Sequence, residues 1–257
     1  ELKEMTEFKL TDHQKAFFQT FGYLQLPGLM SDCIDDITVA FMQVFERNAW
    51  QHDDKTRSTC LQFIDQHEYL RGLLDDSRIT GIAAGLLGDD FNYTSSDGNQ
   101  YVGDTHWHCD SIHEHSDYLK IALYLDPVRR DSGALRLIPG SHIVNEAREA
   151  LGYRVHGCDT AFGIPGCDVP AFALESDPGD VVAFHQAMLH ASYGGDTRRR
   201  MFTLNMCSRY ADADLDDLAR YLQTGDGKYH PDLVATAGPE RRRHLEQFLE
   251  VYSTMQE

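Results

Sequence analysis

Apolar positions in the first ninety residues recur at helical spacing, and from Phe91 they fall into short runs divided by turn residues. Thr11 caps a predicted helix through His13-Gln-Lys-Ala-Phe-Phe-Gln-Thr-Phe, which Gly22 ends. Tyr23-Leu-Gln-Leu-Pro-Gly alternates like a short strand closed by a turn. Ser31 is placed to cap a second helix carrying Ile34, Ile37, Phe41 and Phe45 on one face, and a third helical stretch spans roughly residues 67–87. Predicted strands follow over residues 118–126, 134–139, 181–184 and 199–208, the turns Asp131-Ser-Gly and Asp177-Pro-Gly-Asp180 leading into the second and third. Residues 143–176 hold several Gly and Pro and read as a long insertion of the kind that covers an active site. Two helices, near residues 214–222 and 239–255, finish the chain. With no internal repeat or low-complexity linker, the expectation is one domain over residues 1–257. It has a helical part to about residue 90, a strand-rich core over about 91–210 and helices beyond 211.

Composition narrows the class. Apolar residues make up 42% of 257, enough for a sizeable core. A formal charge of −18 argues against a nucleic-acid or anionic-membrane partner, which needs a basic face. The longest apolar run, residues 79–87, contains two glycines and falls far short of the ~20 residues a membrane helix needs. The first residues lack the basic and apolar segments of a signal peptide. Six cysteines are scattered without a Cys-x-x-Cys pair, which favours reduced thiols. The expectation is a cytoplasmic protein; its oligomeric state is not legible.

The chemistry-bearing residues are His108-Cys109-Asp110 and, about eighty residues later, His190. Two imidazoles and a carboxylate can hold one face of an octahedral iron(II) and leave the opposite face open. A His-x-Asp step on a strand turns both side chains to one face, and a distant strand must then bring the third ligand alongside. His106, His113 and His115 are rivals near the first pair, and His185 competes with His190. In the last predicted strand Arg199, Met201, Thr203 and Asn205 share one face, while Arg200, Phe202, Leu204 and Met206 share the other. The second face is greasier and should pack under helices. The first suits a pocket wall, which selects Arg199 from the Arg198-Arg199-Arg200 run as a carboxylate clamp.

Four segments resemble the phytanoyl-CoA dioxygenase family of iron(II)/2-oxoglutarate oxygenases: Thr105-His-Trp-His-Cys-Asp110, Leu123-Tyr-Leu-Asp-Pro127, Ser132-Gly-Ala-Leu-Arg-Leu-Ile-Pro-Gly-Ser-His142, and Gly179-Asp180 through His190 to Arg199. The resemblance covers roughly residues 10–210. It implies a mainly β fold with flanking helices, whose core is a double-stranded β-helix of the jelly-roll, cupin-like kind. By it His108, Asp110 and His190 bind iron, and Arg199, helped by Ser192, holds the distal carboxylate of 2-oxoglutarate. The His-to-Arg spacing is shorter than is usual in the family, which leaves Arg198 and Arg200 as alternatives. The implied reaction consumes O2 and 2-oxoglutarate, releases succinate and CO2, and hydroxylates a C–H bond. Halogenating relatives carry a small residue in place of this carboxylate, so Asp110 favours hydroxylation, or a related desaturation or ring closure.

Asn99, Tyr101, Trp107 and Tyr124 are candidate pocket residues, with Gln100 and Phe162 behind them. The expected substrate is a small soluble metabolite, since a fold hosts many specificities. Two other readings stay open: a cupin-like metal enzyme that does not use 2-oxoglutarate, and a non-catalytic jelly-roll binding protein.

Overall fold

The computed structural model describes residues 7–48, 51–196, 199–225 and 228–255. Helix α1 (Asp12–Phe21) starts where expected: the Thr11 hydroxyl accepts from the Gln14 N–H and the Gln14 side chain accepts from the Thr11 N–H, a reciprocal cap. Gly22, at φ 83°, ends it, and a Cβ there would collide with Met188 and His142. Strand β1 (Tyr23–Leu26) follows directly.

Helix α2 (Ile34–Arg47) begins later than a Ser31 cap requires, because Ser31 lies in a turn closed by its own N–H to the Gly28 carbonyl. Cys33 stands at the helix start and makes no side-chain cap. Strand β2 (Ser58–Leu61) was not anticipated. The stretch expected as one helix over 67–87 divides into α3 (Glu68–Arg71), a 3-10 turn over Gly72–Asp75 and α4 (Ser77–Leu87). The division comes at Asp76, extended at ψ 124°, whose carboxylate accepts from the Arg78 N–H and starts a new helix.

The strand-rich part runs β3 (Asn92–Tyr101), β4 (Thr105–His108), β5 (Tyr118–Tyr124) and β6 (Leu135–Leu137). Helices α5 (Glu146–His156) and α6 (Cys158–Phe162) come next, then β7 (Phe172–Leu174), β8 (Val181–His185), β9 (His190–Ser192) and β10 (Arg199–Cys207). Helices α7 (Leu215–Gln223), α8 (Pro231–Ala235), α9 (Pro239–Arg243) and α10 (Glu246–Thr254) follow. The single helix expected over 239–255 is interrupted at His244, whose ring stacks on Phe91 and donates through Nδ1 to the Phe91 carbonyl.

All named strand pairs are antiparallel. Six strands form one sheet in the order β1-β8-β5-β10-β3-β2, and four form another in the order β4-β9-β6-β7. This is the double-stranded β-helix expected, although among the described residues more lie in helices than in strands, 40% against 22%. The sheets, not the helices, carry the site.

The faces of β10 divide as its alternation predicts. Phe202, Leu204 and Met206 join Phe41, Phe45, Phe63 and Ile82 in the largest core, between the six-stranded sheet and helices α2 and α4. Arg199, Met201 and Thr203 face the interior between the sheets. On the four-stranded sheet, Trp107, Ala191 and Tyr193 pack outward against Val155 and Cys158 of α5 and α6. Residues 143–176 therefore supply two helices behind that sheet and its edge strand β7, and none of them lines the interior cavity. They brace the wall instead of covering the entrance.

Among the described residues no helix is long and apolar enough to cross a membrane. The six cysteines are unpaired.

Phe202 is fully buried, with its ring 5.7 Å from that of Phe63. Phe202→Ala is expected to cost about 3–5 kcal/mol of unfolding free energy in urea denaturation, from lost burial and the cavity left behind.

Candidate metal centre and cavity

β4 and β9 pair so that Thr105 lies opposite Ser192 and His108 opposite His190. Three residue steps on β4 match two on β9, which is a bulge. The extra residue turns His106 and Trp107 away from the cavity, while Thr105 and His108 both line it. Asp110 follows the strand end, held by its N–H donating to the Gln186 carbonyl at 3.0 Å.

One ligand atom from each of His108, Asp110 and His190 falls within 4.8 Å of the others. His108 Nε2 lies 3.8 Å from Asp110 Oδ1, and His190 Nε2 lies 3.8 Å from Asp110 Oδ2. Both Nδ1 atoms donate to main-chain carbonyls, His108 to His106 at 2.7 Å and His190 to Met188 at 2.9 Å. In the neutral ring this leaves the Nε2 lone pair for the interior, the tautomer a metal ligand needs. Burial pulls His190 down to about 4, so it is neutral at physiological pH. Burial pushes the Asp110 carboxyl up, but the Lys120 ammonium and the two imidazoles outweigh it and hold the group below its ordinary value. Two imidazoles and an ionised carboxylate on one side of a cavity fit a divalent first-row metal.

The rival histidines have other partners. His113 stacks on Tyr118 with ring centroids 3.6 Å apart. His115 pairs with Asp217 at 3.0 Å, and His185 faces Asp117 at 3.4 Å.

A cavity of about 540 Å³ opens from the triad. At one end stand Arg199 and Ser192, 5% and 6% exposed. Arg199 Nη1 and Ser192 Oγ are buried with no hydrogen-bond partner in the protein, and buried polar atoms are rarely left so. The Arg199 guanidinium lies 4.8 Å from the Tyr101 ring centroid, and the Arg57 guanidinium 4.2 Å from it. Arg200 is spent on Asp126, which accepts from its main-chain N–H at 2.8 Å and from its guanidinium Nη2 at 2.6 Å. Arg198 lies outside the described residues.

Tyr101 and Tyr124 line the cavity as expected. Trp107 does not: its indole is on the outer side of β4, donating to the Gly166 carbonyl at 2.9 Å. Asn99 faces inward but is sealed off, accepting from Arg57 and Thr59 and donating to Asp97. Gln100 points the other way along β3, and Phe162 is exposed on α6; neither lines the cavity.

Thr203 lines the cavity on the β10 face expected for a pocket wall, and Arg57, Thr105, Asp97 and Lys120, which were not among the candidate pocket residues, complete it. Lys120 was accessible by the alternation argument, being the one charged residue of β5 and in phase with Ala122 and Tyr124.

A sequence profile of the family described as phytanoyl-CoA dioxygenase (PhyH) matches residues 18–201. No curated protein sequence matches the chain. Among solved structures, the non-haem α-ketoglutarate-dependent carbocyclase SnoK from nogalamycin biosynthesis is similar over 86% of this chain and 93% of its own, with a TM-score of 0.62 and 21% identity. EctD from S. alaskensis, with 2-oxoglutarate and 5-hydroxyectoine, matches over 80% of this chain and 79% of its own, with a TM-score of 0.60 and 20% identity. HygX from Streptomyces hygroscopicus, with nickel and 2-oxoglutarate, matches over 78% and 88%, with a TM-score of 0.61 and 15% identity. At these identities the likeness establishes the fold.

A Cβ on Gly133, which has φ +90°, would fall on Arg199 Nη1. Gly133→Ala is expected to displace the guanidinium and weaken binding of a dicarboxylate probe such as 2-oxoglutarate, measured by calorimetry on cobalt(II)-loaded protein. Cobalt affinity itself should not change.

Proposed function

The chain belongs to the phytanoyl-CoA dioxygenase family, and we propose that it is an iron(II)/2-oxoglutarate-dependent oxygenase that hydroxylates a C–H bond of a small polar molecule. The observation that carries this reading is the pairing, in one cavity, of a His-Asp-His cluster with Arg199 Nη1 and Ser192 Oγ, both buried and without a hydrogen-bond partner. His108, Asp110 and His190 are the proposed iron ligands, with nickel or cobalt as substitutes that accept the same donors. Arg199 would receive the distal carboxylate of 2-oxoglutarate through two parallel N–H groups, and Ser192 would add its hydroxyl. Iron with 2-oxoglutarate and O2 supplies the oxidising power for C–H cleavage, yielding succinate and CO2 beside the product.

The protein's own contribution is placement and exclusion of water. Tyr101 and Tyr124 wall the buried end, and Gly133 and Gly195 lie close against the Arg199 guanidinium. A dicarboxylate there would exchange its hydration for a fixed cation in a dry pocket, where the attraction is stronger than in water. The cupin-like alternative, in which 2-oxoglutarate has no role, leaves the buried guanidinium edge without a purpose.

On the substrate side the lining is polar: Arg57, Gln62, Ser95, Asp97, Lys120 and Thr203. Such a surface suits hydroxyl, amine or carboxylate groups and would strand its hydrogen-bonding atoms against a long acyl chain. This supports a compact polar substrate in preference to the acyl-CoA of the family's name.

The test is anaerobic addition of iron(II) and 2-oxoglutarate, which is expected to give the weak visible charge-transfer band of the chelate. Iron binding without the band would favour the cupin-like reading. Asp110→Ala, folded by circular dichroism, is expected to lose iron-dependent conversion of 2-oxoglutarate to succinate; full retention overturns the assignment. Arg199→Ala is expected to weaken 2-oxoglutarate roughly tenfold to hundredfold, corresponding to about 1.5–3 kcal/mol for hydrogen bonds to a charged group. Titration of the same charge-transfer band reads that change.

A further inference from the structure

Lys120 is the one charged residue of β5 and points between the sheets, its side chain 17% exposed. An ammonium in such a place is costly unless paired, and its ion pair is with Asp110, Nζ to Oδ2 at 2.9 Å. The register fixes this: Lys120 sits opposite Phe184 on β8 and opposite Asn205 on β10, in the layer that faces the triad. Asp110 otherwise presents both oxygens to the metal position, Oδ1 toward His108 and Oδ2 toward His190, each at 3.8 Å. Nothing in the placement of the two imidazoles selects one oxygen over the other.

The choice has a chemical consequence. Of the six positions on an octahedral ion, two imidazoles and one carboxylate oxygen occupy three. A chelating 2-oxoglutarate takes two more and leaves one. A carboxylate bound through both oxygens would leave none. We propose that Lys120 is a positioning residue that ties up Asp110 Oδ2, so that Asp110 offers the metal Oδ1 alone and one coordination position stays open beside the cavity. The inference rests on the metal-binding reading above. It gives the cation a task apart from neutralising a buried carboxylate, because a counterion alone would not control how many oxygens bind.

Nitric oxide is a probe of an open position on iron(II), giving a characteristic electron paramagnetic resonance signal. Wild-type protein loaded anaerobically with iron(II) and 2-oxoglutarate is expected to bind it. In Lys120→Met, which is one atom shorter, stays apolar along its length and loses the N–H groups, nitric oxide affinity in the presence of 2-oxoglutarate is expected to fall by at least about tenfold, while iron is still bound; outer-shell partners of metal ligands commonly carry effects of about 10- to 100-fold. Lys120→Arg, which retains donors, should recover part of the loss. If Lys120→Met does not fold, Lys120→Gln gives the same reading, since its amide is one atom too short to reach Oδ2. Unchanged nitric oxide affinity in a folded, iron-loaded Met or Gln variant overturns the proposal and leaves the metal site standing. Failure of the wild type to bind iron overturns both.

Discussion

The register between β4 and β9 is the constraint on which the site depends. His108 and His190 are far apart in sequence and meet because their strands pair with the two residues directly opposite. Side chains alternate with a period of two, so a slip of one residue would turn His190 out of the cavity and Ala191 into it. Such a slip is opposed from the other side, where β6 pairs with β9 and sets Leu137 against His190 and Leu135 against Ser192. His190 of the candidate metal cluster and the hydroxyl beside Arg199 are thus fixed by one short central strand. Behind it, Ala191 packs with Trp107 and Val155, so the slip would also empty a filled core.

The large sheet solves a related problem on its two faces. Its outer face, with Phe202 and Leu204, lies under helices and supplies apolar burial. Its inner face carries Asp97, Asn99, Lys120, Arg199 and Thr203, which gain little from burial and must find partners. Most do so among themselves: Thr203 and Asn99 donate to Asp97, Arg57 donates to Asn99, and Lys120 pairs with Asp110. Arg199 Nη1 and Ser192 Oγ do not. Two unpartnered polar atoms lining one cavity beside the His-Asp-His cluster are better explained by a ligand-binding role than by folding needs.

The triad and Arg199 were legible because their signal is local: ligand-type residues at strand spacing and one mixed face on one strand. The same alternation that turns His108 inward already turns Trp107 outward, so placing Trp107 in the pocket went against the rule that selected its neighbour. His106 shares the expected face of His108, and only the bulge removes it, a feature with no mark in the sequence. Asn99 is in phase with Tyr101, yet three side chains and Met201 saturate it, which depends on contacts from β2 and β10. The helical parts show the same limit. The Thr11 cap uses residues three apart and was readable, whereas Ser31 was lost to a turn whose next residue back, Met30, bonds its N–H to the Gly179 carbonyl, far away in the chain.

The formal net charge of −18 gives no hint of how charges are arranged inside. The cavity gathers Arg57, Lys120, Arg199 and Lys228 against Asp97 and Asp110. Under the proposed function, a metal dication and a 2-oxoglutarate dianion cancel, and Lys120 cancels Asp110, its ion-pair partner, so the loaded metal site is neutral as a set. Neutrality is what makes burying so many charges tolerable, because each attraction then offsets part of the desolvation of its partner. Arg57 and Lys228 remain against Asp97 on the substrate side, which gives that half of the cavity a positive excess within an acidic protein. A substrate with an acceptor group to set between those cations would be favoured there by charge as well as by shape.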